Sequence, residues 1–175
     1  ILHLSDVHFG EKHRCDPEDP TFPRKGYPSL FELIRKDLED PVFAHPTWRP
    51  GAKGSSNRLL VMVSGDLTER ATPQEFKSVY SFLSRFGAAT ILGSQTSLHD
   101  LFVVPGNHDV VYDTDDIETR LTPYSNFYSK LYKDVRPAVL PHEAESLTQI
   151  HVSHEHGYII AEIDSAAYVR RGTDD

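Results

Sequence analysis

The chain of 175 residues has one cysteine, Cys15, one methionine and one tryptophan. A single thiol cannot close an internal disulfide, so a disulfide-stapled scaffold is excluded, and thiolate clusters drop out of the metal chemistries to consider. One free cysteine fits a reducing compartment, and a cytoplasmic location is the expectation. Long apolar runs are also missing: none approaches the roughly 20 residues needed to span a bilayer, so no membrane partner is expected. No basic region or cleavage site precedes Ile1, which sits inside a strand-like run, and the natural start is expected further upstream. Basic residues are in short supply, 18 Lys and Arg against 26 Asp and Glu, for a net charge of −8. That balance argues against an extended phosphate-binding surface. An anionic substrate would need a bound cation to reverse the local sign.

What is present suits one globular domain large enough to bury a substantial core. Short apolar runs end abruptly in polar residues at ILHLS (1–5), RLLVMVS (58–64) and LFVV (101–104), and YIIAEI (158–163) follows the turn signal Gly157. These read as buried strands. Between them lie helical patterns. Residues 29–39 place Leu30, Leu33, Ile34 and Leu38 on one face behind a Ser29 cap. Thr72-Pro73-Gln74-Glu75 opens a second helix, to Phe86, with a capping box and Phe76, Val79, Tyr80 and Leu83 as its stripe. A third is expected over 123–133, burying Tyr124, Phe127, Tyr128 and Leu131. The alternation predicts an α/β fold with a mainly parallel sheet flanked by helices. In such sheets ligands bind beyond the carboxyl ends of the strands.

Three of those ends carry the richest chemistry in the chain: Ser5-Asp6-Val7-His8, Gly65-Asp66-Leu67-Thr68-Glu69 and Gly106-Asn107-His108-Asp109. Two aspartates, two histidines and an asparagine suit borderline divalent ions such as Mn, Fe, Zn, Ni or Co. Asp6 and His8 are two apart and point the same way in extended backbone, which makes a chelate. Gly65 and Gly106 permit close backbone approach. Each motif alone is more often a polar turn; three successive strand exits carrying ligand-type side chains favour a metal site.

Together these motifs resemble the calcineurin-like metallophosphoesterases, whose pattern runs D-x-H, G-D-x-x-[DE], G-N-H-[DE], a later histidine and a G-H-x-H. The wording VSGDLTE and VVPGNHD is closest to class III cyclic-nucleotide phosphodiesterases and less like the double-strand-break repair nucleases. The resemblance implies a sandwich fold of the metallo-dependent phosphatase type and two divalent ions. Asp6 and His8 would hold the first ion, Asp66 would bridge both, and Asn107 would hold the second through its amide oxygen. His108 would contact the scissile phosphate or protonate the leaving oxygen, with Asp109 orienting its ring. The implied reaction is hydrolysis of a phosphoester, most simply a phosphodiester of small-molecule type, by a metal-activated hydroxide.

The chain departs from the pattern downstream, since no G-H-x-H occurs. The expectation is that residues 1–175 hold the N-terminal portion of the domain within a larger multidomain chain, with the other ligands beyond Asp175. The run HVSHEHGY offers His151, His154 and His156 as substitutes, but Gly157 places them on a hairpin before a strand, so they read as a solvated turn. The exit of that strand, Asp164-Ser165, could approach the site. Two long loops are expected, 10–28 with His13, Arg14, Arg24 and Lys25 as phosphate contacts or plain solvated residues, and 41–57 anchored by Trp48. A metal-dependent nuclease acting on nucleic acid and a non-catalytic sensor or interaction module stay open as readings.

Overall fold

The computed structural model describes residues 1–11, 13, 29–40, 42, 58–142 and 148–166. Strand β1 (Leu2–Leu4), helix α1 (Leu30–Glu39), β2 (Val61–Ser64), α2 (Pro73–Phe86), β3 (Thr90–Ile91), β4 (Ser94–Gln95), β5 (Leu101–Val104), α3 (Ile117–Tyr132), β6 (Gln149–Ser153) and β7 (Tyr158–Glu162) follow in chain order. Among the described residues no helix is long and apolar enough to cross a membrane.

The expected parallel sheet is β1-β2-β5, with Leu2 opposite Val61 and Val61 opposite Leu101. Alternation sends Val61, Val63, Leu101 and Val103 to one face, where they meet Phe76, Val79, Phe82, Leu83 and Phe86 of α2 and Phe127 and Leu131 of α3 in the main core. Fully burying one such side chain is worth about 1.5–3 kcal/mol. The opposite face carries Leu60 and Phe102, packed with Ile160 of β7 in a smaller cluster.

The two capped helices form where their signals stand. Thr72 Oγ1 accepts from the Glu75 amide at 3.3 Å while a Glu75 carboxylate oxygen accepts from the Thr72 amide at 2.9 Å, closing the box. Ser29 caps α1 by accepting from the Glu32 amide; α1 buries Phe31, and of the expected stripe Leu30, Ile34 and Leu38 are half-buried against the main core. Helix α3 begins six residues before the expected start. Asp116 is the cap, accepting from the Thr119 amide at 3.0 Å, and Pro123 lies inside the helix.

The fourth expected strand is corrected in its pairing: β7 does not extend the parallel sheet but pairs antiparallel with β6, a strand the pattern hid. In β6 the polar Gln149, His151 and Ser153 are half-buried while Ile150 and Val152 are exposed, the reverse of ordinary amphipathic alternation. Among the described residues the outer edge of β5 has no strand partner, and side chains bond to it. The Val103 amide donates to Glu162 Oε1 at 2.8 Å, Tyr124 donates to Val103 O at 2.8 Å, and Tyr132 donates to Leu101 O at 2.8 Å. Arg136, held between the rings of Phe102 and Tyr132, binds both Glu162 and Leu101 O.

Candidate metal centre

Because β1, β2 and β5 are parallel and in register, their carboxyl ends emerge along one edge. The first two loops continue to pair beyond the strands. The His8 amide donates to Asp66 O at 2.9 Å and the Phe9 amide to Leu67 O at 2.7 Å, with a parallel bridge between Phe9 and Thr68. Within this paired run Asp6, His8 and Asp66 have φ of 55°, 49° and 52°. Left-handed backbone costs a residue with a side chain about 1–2 kcal/mol. Three such residues in one cluster are the mark of side-chain direction held against local preference, as functional sites do.

The result is convergence. His8 Nε2 lies 3.9 Å from Asp6 Oδ1 and 4.0 Å from Asp66 Oδ2, and one ligand atom from each of the three falls within 4.8 Å of the others. Two ligands each bonded at about 2.1 Å to one ion stand roughly 3–4 Å apart, so the set fits a divalent ion with small adjustments. One imidazole and two carboxylates are also the right donors for a borderline metal. The loops can pack this closely because of two glycines. A Cβ at Gly65, whose φ is 97°, would lie 2.5 Å from the Gly106 amide nitrogen, and one at Gly106 would fall on the Asp66 carboxylate and amide. That approach lets Asp66 Oδ1 accept the His108 amide proton at 3.0 Å, leaving Oδ2 facing His8.

His108 joins the cluster from β5, its ring edge-on to His8 with centroids 4.8 Å apart. Its Nδ1 is 2.9 Å from Glu69 O. A carbonyl only accepts, so Nδ1 carries the proton and Nε2 is the atom free to exchange one. The expectation that Asp109 orients this ring is therefore corrected. Asp109 is fully buried, its Oδ2 accepting from the Leu67 and Gly106 amides at 3.1 and 2.9 Å and its Oδ1 from the Thr68 amide at 2.8 Å. Burial pushes its pKa above the ordinary carboxylate value, against the pull of those bonds. Asp109 ties the second and third strand exits together. The Glu69 carbonyl, a backbone atom no side-chain pattern announces, does the orienting.

The profile of the calcineurin-like phosphoesterase family matches residues 1–174. The chain belongs to this family. Its members are metal-dependent hydrolases of phosphoesters, and Asp6, His8 and Asp66 form a group that could hold a metal ion. No curated protein matches the chain.

The other expected contributors are placed as follows. Asn107 is exposed at the head of a short 3-10 turn. Burial pushes the Tyr112 pKa up, the Asn107 side chain opposes this and the Asp66 charge adds to it. His13 stacks on Phe9 at 4.5 Å. Arg14, Arg24, Lys25 and Trp48 lie outside the described residues. His151 points inward to Glu162 Oε2 at 2.7 Å, while His154 and His156 occupy the turn, His156 stacked on Tyr158. Asp164 Oδ1 accepts from the Ala166 amide at 2.7 Å. A cavity of about 700 Å³ opens between Arg58, His99, Arg136 and β6, and none of the motif residues line it. Its size carries no chemistry, whereas the smaller strand-exit cluster groups ligands.

Proposed function

We propose that this domain hydrolyses a phosphodiester at a dinuclear divalent-metal centre, with Asp6 and His8 on one ion, Asp66 between the two and Asn107 on the second. The ions, of the Mn, Fe, Zn, Ni or Co class, would supply Lewis acidity, drawing a phosphate anion into an acidic site and lowering the pKa of water. The observation that carries this reading is the meeting of Asp6, His8 and Asp66, all in left-handed backbone, directly beside His108. His108, fixed through Nδ1–H, would donate a proton to the departing alcohol oxygen from Nε2 when the ring carries a second proton there. Asp109 holds the Gly65 and Gly106 loops in register so that this ring and the ligands keep their spacing. The choice of a diester, a small-molecule one, over a monoester rests on the wording VSGDLTE and VVPGNHD.

The test is hydrolysis by the whole protein with Mn²⁺ of bis-p-nitrophenyl phosphate, cyclic nucleotides, and single- and double-stranded DNA. Cleavage of the small diesters, lost in His108→Ala and Asp66→Ala, is the expected result. Cleavage of DNA alone would replace this reading by a nuclease, and no hydrolysis of any of them by a metal-loaded protein would replace it by a binding module.

A further inference from the structure

The ring of His108 takes its direction from the main chain that carries it and from the Glu69 carbonyl, which accepts its Nδ1 proton at 2.9 Å. Both lead back to one side chain. Thr68 is fully buried, and its Oγ1 lies 2.8 Å from His108 O and 2.9 Å from Asp109 Oδ1. The same oxygen accepts the Ala71 amide proton at 3.1 Å. That bond closes the turn 68–71 and holds Ala71 at a φ of 56°, in left-handed backbone that costs a residue with a side chain about 1–2 kcal/mol. Inside this turn sits the Glu69 carbonyl. A hydroxyl has one proton to donate and two lone pairs that accept. Thr68 therefore meets the His108 main chain as a donor and the turn bearing the ring's acceptor as an acceptor.

We propose that Thr68 is a positioning residue for phosphoester hydrolysis: its hydroxyl ties the His108 main chain to the 68–71 turn and so sets the direction of the bond from Nδ1 to Glu69 O that aims Nε2. The inference rests on His108 serving as the proton donor, as proposed above. Thr68 acts on the ring and not on the ions, since its hydroxyl bonds are to His108, Asp109 and Ala71. A positioned general acid contributes about 10²–10⁴-fold, and misplacing a catalytic group by about 1 Å forfeits about 10²-fold. A good leaving group needs little protonation, so the loss grows with the basicity of the departing oxygen.

The experiment compares methyl p-nitrophenyl phosphate with methyl phenyl phosphate, hydrolysed by the whole protein with Mn²⁺, in wild type, Thr68→Val and Thr68→Ser. Valine keeps the shape and drops the hydroxyl, whereas serine keeps the hydroxyl. In Thr68→Val, kcat should fall about 10²-fold for the phenyl ester and less than about threefold for the nitrophenyl ester, with KM and Mn²⁺ affinity unchanged; Thr68→Ser should return the phenyl ester to within about threefold of wild type. ¹⁵N NMR of the metal-free protein gives a second readout: the neutral His108 ring should carry its proton at Nδ1 in wild type and Thr68→Ser, and as a mixture of both tautomers in Thr68→Val. Equal losses on the two esters, an unchanged tautomer in Thr68→Val or no rescue by serine would overturn the inference. Where Thr68→Val does not fold, Thr68→Ala carries the same comparison, and failure of both to fold overturns the inference by making the hydroxyl a requirement of the fold. Undiminished phenyl ester hydrolysis by His108→Ala would instead overturn the role of His108 on which it stands. If neither ester is hydrolysed the proposed function fails, and the tautomer comparison still decides the part played by Thr68.

Discussion

Two regions of this protein are rich in metal-binding side chains, and they behave in opposite ways. The β6–β7 hairpin concentrates His151, His154, Glu155, His156 and Glu162 within a few residues of each other in sequence. The strand-exit site assembles Asp6, His8, Asp66 and His108 from three separate stretches. Yet among the described residues the grouping of potential ligands is Asp6, His8 and Asp66. In the hairpin, alternation splits the side chains between faces: His151 turns in to Glu162, which also binds Arg136 and the Val103 amide, and is consumed as a structural tie. At the strand exits, parallel register and left-handed backbone turn distant residues toward one point. Ligand density along a chain is therefore a poor guide to ligand convergence in space.

The largest expected effect breaks the comparison at its stronger end. Asp66→Ala removes the carboxylate facing His8 and the acceptor of the His108 amide, and phosphodiester hydrolysis should fall by about 10³-fold in an assay of kcat/KM, on the scale of losing a principal electrostatic contact. Next comes the hairpin's own anchor. Glu162→Gln leaves the buried Arg136 without its charge partner, and urea unfolding should show a loss of about 3 kcal/mol, while Mn²⁺ affinity at the strand exits stays within about twofold. A parallel loss of metal binding would mean the two regions are coupled, which the separation argued here forbids.

Gly106→Ala sharpens the picture from the backbone side. A methyl group there meets Asp66, so the two loops must part; stability should fall by about 1–3 kcal/mol and metal-dependent thermal stabilisation should disappear. The smallest effect is the most diagnostic: His154→Ala with His156→Ala should change neither activity nor Mn²⁺ binding beyond about twofold, since exposed substitutions usually fall within about 0.5 kcal/mol. A tenfold loss of metal affinity in that double variant would restore the hairpin as a ligand source.

Much of this was legible before any coordinates. The strands β1, β2 and β5, the capping box of α2 and the ligand-bearing strand exits follow from patterns a few residues long, where local chemistry and final structure agree. Three features were not. The first turns of α3 are one: Asp116 supplies the cap six residues ahead of the expected start, and Pro123 lies inside the helix. The inverted alternation of β6 concealed a strand because the residues it buries are needed for polar contacts: His151 for Glu162, Gln149 beside Tyr128. The resemblance made Asp109 the residue that orients His108, and only the fold shows its carboxylate facing three amides.

The sequence by itself determined which elements form and which residue types reach the edge of the sheet, because capping, period and turn chemistry act over a few residues. Tertiary structure decided which of those residues meet. That depends on strand register, on the contact between Gly65 and Gly106, and on carbonyl and amide groups such as those of Glu69 and Thr68 that carry no side-chain signature. Such long-range terms select among arrangements that look alike locally, and here they turned three scattered polar motifs into one site and a dense histidine run into a strut.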